Sequence, residues 1–186
     1  MQVEQLIDNI LNELSNTLHQ IDVTQIEELE TSIIKANRIF VAGKGRTGLQ
    51  MKAFAMRLMH LGLKVFVVDD VTTPGIQQSD LLIIGSGSGR TESLNGYAKS
   101  ALSNNADLAF ITGNAQSPIT NLSHNTVYIP ASNFKSDNQG KKSSALIMGS
   151  LFEYTIGLLF DLMIIQLMNK LQQTEGAMNN RHANLE

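Results

Sequence analysis

The residues best suited to chemistry lie in LLIIGSGSGRTESL, Leu81 to Leu94, where four branched apolar residues run into alternating Gly and Ser. Glycine lets a backbone take positive φ and come close to a ligand. Ser86, Ser88 and Thr91 add hydroxyl donors beside Gly87 and Gly89. Leu94, Tyr97, Ala98, Ala101 and Leu102 then repeat at the helical period, which predicts a helix opening near Arg90 to Glu92. A helix N-terminus presents unpaired N–H groups and the positive end of a dipole, so the whole inventory suits a phosphate monoester. The plain alternative is a tight turn in which serine only caps the helix.

A second Gly-rich stretch, GKGRTG from Gly43 to Gly48, follows another apolar run, RIFVAG. Its spacing is the G-x-G-x-x-G of dinucleotide-binding turns, and Asp69 or Asp70 could serve as the acid expected about 20 residues on. A hydroxyl-rich second loop is not part of such a site, and 186 residues leave little room for a second domain. Two Gly-rich turns at neighbouring strand ends, both opening helices, favour a small anion over an empty turn.

The elements that must position these loops read as alternating strand and helix. RIFVAG, KVFVVD, DLLIIG, DLAFIT and NTVYIP are runs apolar at successive positions, as in strands buried on both faces. They predict an α/β three-layer sandwich, a five-stranded parallel sheet flanked by helices, occupying 1–186 as one domain. Two helices over about 2–36 precede the sheet core at about 37–130. The second is expected to start at Thr24, with Glu27 completing a capping box. A long apolar helix over about 143–171 and a tail to 186 follow a polar loop, ASNFKSDNQGKKSS. The apolar stretch holds Glu153 and Asp161, and no charge-free span reaches the roughly 18 residues of a bilayer helix. Burial between subunits is the expected cover for so apolar a helix.

Composition removes several classes. The formal net charge is -3 and the 14 Lys and Arg are scattered, so no nucleic-acid-binding field is expected. Without cysteine there is no disulfide, thiolate metal site or Cys nucleophile. His19, His60, His124 and His182 have no ligand spacing, so no metal is expected. The amphipathic N-terminus, MQVEQLIDNILNEL, does not read as a signal peptide, and a cytoplasmic protein without membrane attachment is expected.

Taken together, IIGSGSGRTESL, GKGRTG, FAMRLMHLG, MGSLFE and the terminal RHANLE resemble the 6-phospho-3-hexuloisomerase family of sugar isomerase (SIS) domains. The resemblance runs in one order from about residue 5 to the end. It implies the flavodoxin-like SIS fold and a homotetramer without a cofactor. It also implies interconversion of 3-hexulose 6-phosphate and fructose 6-phosphate in the ribulose monophosphate route of formaldehyde fixation. A functional link to 3-hexulose-6-phosphate synthase comes with that route. Alternatives are an aldose–ketose phosphosugar isomerase and a non-catalytic sugar-phosphate-binding SIS domain.

By the same resemblance Ser86, Gly87, Ser88, Gly89 and Thr91 hold the phosphate of a phosphorylated ketohexose, and Gly45, Arg46 and Thr47 lie across the sugar. Moving a ketone between adjacent carbons needs a proton removed from one and returned to the other through a 2,3-enediol. A carboxylate whose pKa is raised by burial suits that work. Glu153, an acid within the apolar helix and inside the matching GSLFE, is the expected base, its alternative being a buried partner for Arg46 or Arg57. His182 is second, as an acid or a group polarising the carbonyl. Arg46 could stabilise the enediol oxyanion. His60 reads as a satisfied interface histidine and Glu186 as a salt-bridge partner across subunits. The chain departs from the family's usual residues at Thr47, Asp69, Asp70, Arg90, Leu146 and Ile147.

Overall fold

Alternate residues of each central strand point to opposite faces of the sheet, and the core divides accordingly. Ile39, Val41, Leu81, Ile83, Ala109 and Ile111 bury against one side, and Phe40, Ala42, Leu82, Ile84, Leu108 and Phe110 against the other. The computed structural model describes residues 2–131 and 144–185. Its elements are α1 (Val3–His19), α2 (Val23–Lys35), β1 (Ile39–Gly43), α3 (Gly45–His60), β2 (Val65–Val67) and β3 (Leu81–Ser86). They continue with α4 (Glu92–Ser103), β4 (Asp107–Thr112), β5 (Asn125–Tyr128), α5 (Ser150–Lys170) and α6 (Glu175–Asn179).

The five strands are all parallel, in the order β2-β1-β3-β4-β5. This is the expected flavodoxin-like order, and its reversal between β1 and β3 opens a crevice at the carboxyl ends of those strands. The layers are unequal. Helices α1, α2, α3 and α5 cover the first face, whereas α4 and the non-helical segment 113–124 cover the second. Only two of the four strand-to-strand connections, β1 to β2 and β3 to β4, contain a helix.

Two helix starts differ from the sequence expectation. α2 begins at Val23 because Asp22 is the cap, its carboxylate accepting from the Thr24 N–H at 2.9 Å. Thr24 is already inside the helix, so no capping box forms around it. α5 begins at Ser150 rather than near 143, because Met148 (φ 60) and Gly149 (φ 85) are left-handed and cannot belong to a right-handed helix. The preceding segment is tied to α1, where Glu13 accepts from the Ser144 hydroxyl at 2.5 Å and from the Ala145 N–H at 2.8 Å. The loop expected at 132–143, and Glu186, lie outside the described residues.

Helix α5 is central to the first layer. Phe160 stacks on Phe54 of α3 with ring centroids 4.0 Å apart, a contact worth about 0.5–1.5 kcal/mol beyond area burial. By length and composition alone α5 could cross a membrane, but half of its most apolar window is buried inside this fold. At the opposite end of the sheet from the crevice, Arg38 pairs with fully buried Asp80 at 2.5 and 3.0 Å. Breaking such a pair costs about 3–5 kcal/mol because it strands a buried charge. This clamp sets the start of β3, and hence where its far end delivers Ser86.

Candidate active site

Strand β1 ends at Gly43, directly paired with Gly85 of β3. The chain turns into α3 at once, and it can do so because α3 packs almost on the strand. A Cβ at Gly48 would meet the Gly43 carbonyl oxygen at 2.7 Å. Immediately past Gly85 the Ser/Gly loop begins. Ser86 accepts from the Gly89 N–H at 3.1 Å and Ser88 from the Arg90 N–H at 3.3 Å, which curls the loop over the strand end. Gly89 has φ 63, and any Cβ there would lie 2.3 Å from that of Ser117. Only glycine fits.

Three helices open beside this loop, each preceded by a residue whose side chain does not cap it: α3 after Lys44, α4 after Thr91 and α5 after Gly149. Between them lies a cavity of about 320 Å³, lined by the Ser/Gly loop, Thr47, Thr91, Phe152 and Glu153 among others. Converging N–H groups and dipole ends of the same sign make such a space selective for anions.

The structure thus brings Ser86, Gly87, Ser88, Thr91, Thr47 and Glu153 to one cavity. Gly89 supports the loop from behind, and Gly45 (φ 59) and Arg46 are exposed at the rim. Glu153 sits in the first turn of α5, largely buried, with Oε2 3.1 Å from Arg46 Nε. The pairing with Arg46 expected as the alternative to a base is therefore present. That oxygen has no aligned hydrogen bond, so the contact is a charge pair rather than a bidentate fork. The Arg46 guanidinium lies 5.4 Å from the Tyr154 ring centroid, and its pKa is raised by the Tyr154 hydroxyl first and Glu153 second.

A model of the SIS domain family matches residues 32–156. The chain is 39% identical over 186 residues to 3-hexulose-6-phosphate isomerase of Bacillus subtilis, spanning the whole of both. It is 38% identical to the enzyme of the same name from Mycobacterium gastri over 177 residues, 95% of this chain and 88% of that one. The chain belongs to the SIS domain family, among the 3-hexulose-6-phosphate isomerases. A hypothetical protein of Methanococcus jannaschii, whose crystal structure is described as inferring a 3-hexulose-6-phosphate isomerase function, shares the fold. It aligns with a TM-score of 0.81, 36% identity and 97% coverage of each chain.

Several residues of this SIS chain's cavity were not foreseen from sequence. Lys44, Leu94 and Met148 line it, and Asn114 donates from Nδ2 to the Ser88 carbonyl at 3.0 Å, tying the loop to the end of β4. Asx-type turns around Asn114 and Ser117 were the available signal, since Asn114 also accepts from the Gln116 N–H. Among the departures from the family's usual residues, Arg90 is exposed, Leu146 packs on the core and Ile147 is exposed.

His182 is not brought to the cavity of its own chain. Its ring lies tilted against that of His60 at the other end of the 16-residue α3, with ring centroids 5.2 Å apart, and α3 is roughly 24 Å long. His60 is buried beside Arg57, 3.4 Å from Nδ1, and Arg181 donates to the His60 carbonyl. Burial first, then His182 and Arg57, hold the His60 pKa below its ordinary value of 6.5.

The fold prefers neutral His60, so its contribution is complete above the unfolded-state pKa and is lost as pH falls through the lower folded value. The wild-type Tm should therefore drop more steeply than that of His60→Gln between about pH 7 and about pH 5. Parallel thermal-denaturation profiles would remove His60 as the source.

Proposed function

We propose that this protein interconverts 3-hexulose 6-phosphate and fructose 6-phosphate. One observation carries the reading: a hydroxyl-lined anion cradle and an acid, Glu153, share one cavity of about 320 Å³. The phosphate would sit on the Ser/Gly loop against the α4 N-terminus, with Ser86, Ser88 and Thr91 as donors. That placement would lay the sugar toward α5, with Gly45, Arg46 and Thr47 along the rim.

In the direction of fructose 6-phosphate, the Glu153 carboxylate takes the proton from C2 while the C3 carbonyl oxygen gains one, giving the 2,3-enediol. The 2-hydroxyl then loses its proton as C3 receives one, and the ketone stands at C2. Arg46 can offset the developing oxyanion, having Glu153 as its resting counter-ion. Electrons move only within the substrate, so no cofactor is required. Sugar phosphates do not cross membranes unaided, which goes with a cytoplasmic location. A 3-hexulose-6-phosphate synthase would be the functional partner supplying the substrate.

A homotetramer accompanies this reading. Tyr154, Leu158, Leu162 and Ile165 form an exposed apolar stripe on α5, next to Met56 and Met59 of α3, and a groove of about 350 Å³ runs between the two helices. Apolar surface of this extent marks an interaction face. Assembly would also allow His182 to act in a neighbour's cavity, as it cannot in its own. Sedimentation equilibrium should give four times 20.4 kDa; a monomer would contradict the assembly.

The reaction is tested by incubating the protein with fructose 6-phosphate in D2O and locating deuterium by NMR. Exchange at C3 is expected. Exchange at C1 would make it an aldose–ketose isomerase, and binding without exchange a sensor. Glu153→Gln should lower C3 exchange by at least about 10²-fold, the scale of general-base catalysis, while still binding sugar phosphate. Normal turnover by that variant would exclude Glu153 as the base.

A further inference from the structure

The cavity contains a cation that the catalytic reading leaves without a task. Lys44 lines it, and among the described residues no other lysine or arginine does. Register fixes where it stands. Gly43 pairs with Gly85, so Lys44 leaves the end of β1 beside Ser86, the last residue of β3, on strands about 4.8 Å apart. A lysine side chain reaches roughly 6 Å, so its ammonium can meet an anion held by Ser86, Gly87 and Ser88.

In the free protein that ammonium is engaged. Asp69 Oδ2 lies 2.5 Å from Nζ, the Tyr97 hydroxyl 3.3 Å, and the Tyr97 hydroxyl donates to Asp69 Oδ1 at 2.6 Å. The Lys44 ammonium is 5.3 Å from the Tyr97 ring centroid. Its pKa is raised, by Asp69 first and Tyr97 second, so the group stays cationic. The trio joins the β1–α3 turn, the end of β2 and α4, the helix whose N-terminus carries the Ser/Gly loop. Asp69 itself has φ 79, an unfavourable backbone for a non-glycine residue. Its carboxylate occupies the place in sequence of a dinucleotide fingerprint's ribose-binding acid, and here it is engaged by Lys44 and Tyr97.

We propose that Lys44 is a phosphate-binding residue of this cavity, held beside the Ser/Gly loop by Asp69 and Tyr97, and that Asp69 is the counter-ion against which phosphate affinity is set. The inference rests on the reading of the cavity as a sugar-phosphate site. An ammonium has three donors, so Lys44 can keep Asp69 and Tyr97 as partners while a third N–H turns to a phosphate oxygen. Asp69 then lowers phosphate affinity through like charge, in exchange for a fixed cation. Asp69→Asn removes the charge, while the amide oxygen can still accept from Lys44 and the amide N–H can donate to the Tyr97 hydroxyl.

Calorimetric titration of the full chain with inorganic phosphate tests this. Lys44→Met should weaken phosphate binding by about tenfold or more, the scale of one charge-assisted hydrogen bond, with an unchanged Tm because the side chain is half exposed. Asp69→Asn should tighten it several-fold. If Lys44 and Asp69 only brace the loop, both variants weaken binding alike, and that result overturns the proposal. Phosphate affinity unaltered in Lys44→Met also overturns it, while leaving the cavity reading intact. Wild-type protein that does not bind phosphate would instead overturn the sugar-phosphate reading itself.

Discussion

A parallel sheet sends the first peptide N–H groups of its following helices to one edge, and three helices of this chain open at that edge around a single space. The N-termini of α3, α4 and α5 have no side-chain caps, so the N–H groups of their first turns and their aligned dipoles define a region that an anion stabilises. Much else in the structure serves this convergence. Gly48 lets α3 start within contact of β1, Gly89 lets the Ser/Gly loop fold against Ser117, and the left-handed pair Met148 and Gly149 aims α5 inward. The Arg38–Asp80 clamp at the far end of β3 fixes where the loop begins.

Charge in the cavity is balanced by two ion pairs of different burial. Glu153 with Arg46 is largely sheltered on the acid's side, and Lys44 with Asp69 is half exposed. Each pair joins a residue of the first Gly-rich turn to an acid from another element.

Local chemistry was the part of this site legible in sequence. Alternating Gly and Ser after an apolar run, followed by helical period from Leu94, marked the loop that lines the cavity, because the loop's residues lie within one short stretch. The parallel sheet was legible for the same reason, its strands being unbroken apolar runs. Helix starts were less so: Asp22 displaced Thr24 as cap, and nothing in periodicity marks Met148 as left-handed. Lys44 was missed since its partners, Asp69 and Tyr97, come 25 and 53 positions later. Likewise Asn114 meets Ser88 only once β4 is laid beside β3. Glu153 could be singled out as an acid within an apolar helix and through family resemblance, and a pairing with Arg46 or Arg57 was the expected alternative; which of the two arginines it meets is a property of the fold.

Catalysis by Glu153 depends on where the phosphate of a bound sugar lies relative to its carboxylate. A crystal structure with fructose 6-phosphate reads this directly. The phosphate should contact Ser86, Ser88 and Thr91 at the α4 N-terminus, with C2 and C3 turned toward the Glu153 carboxylate. A sugar phosphate seated in the α3–α5 groove, or bound in the cavity with C1 at Glu153, would contradict it.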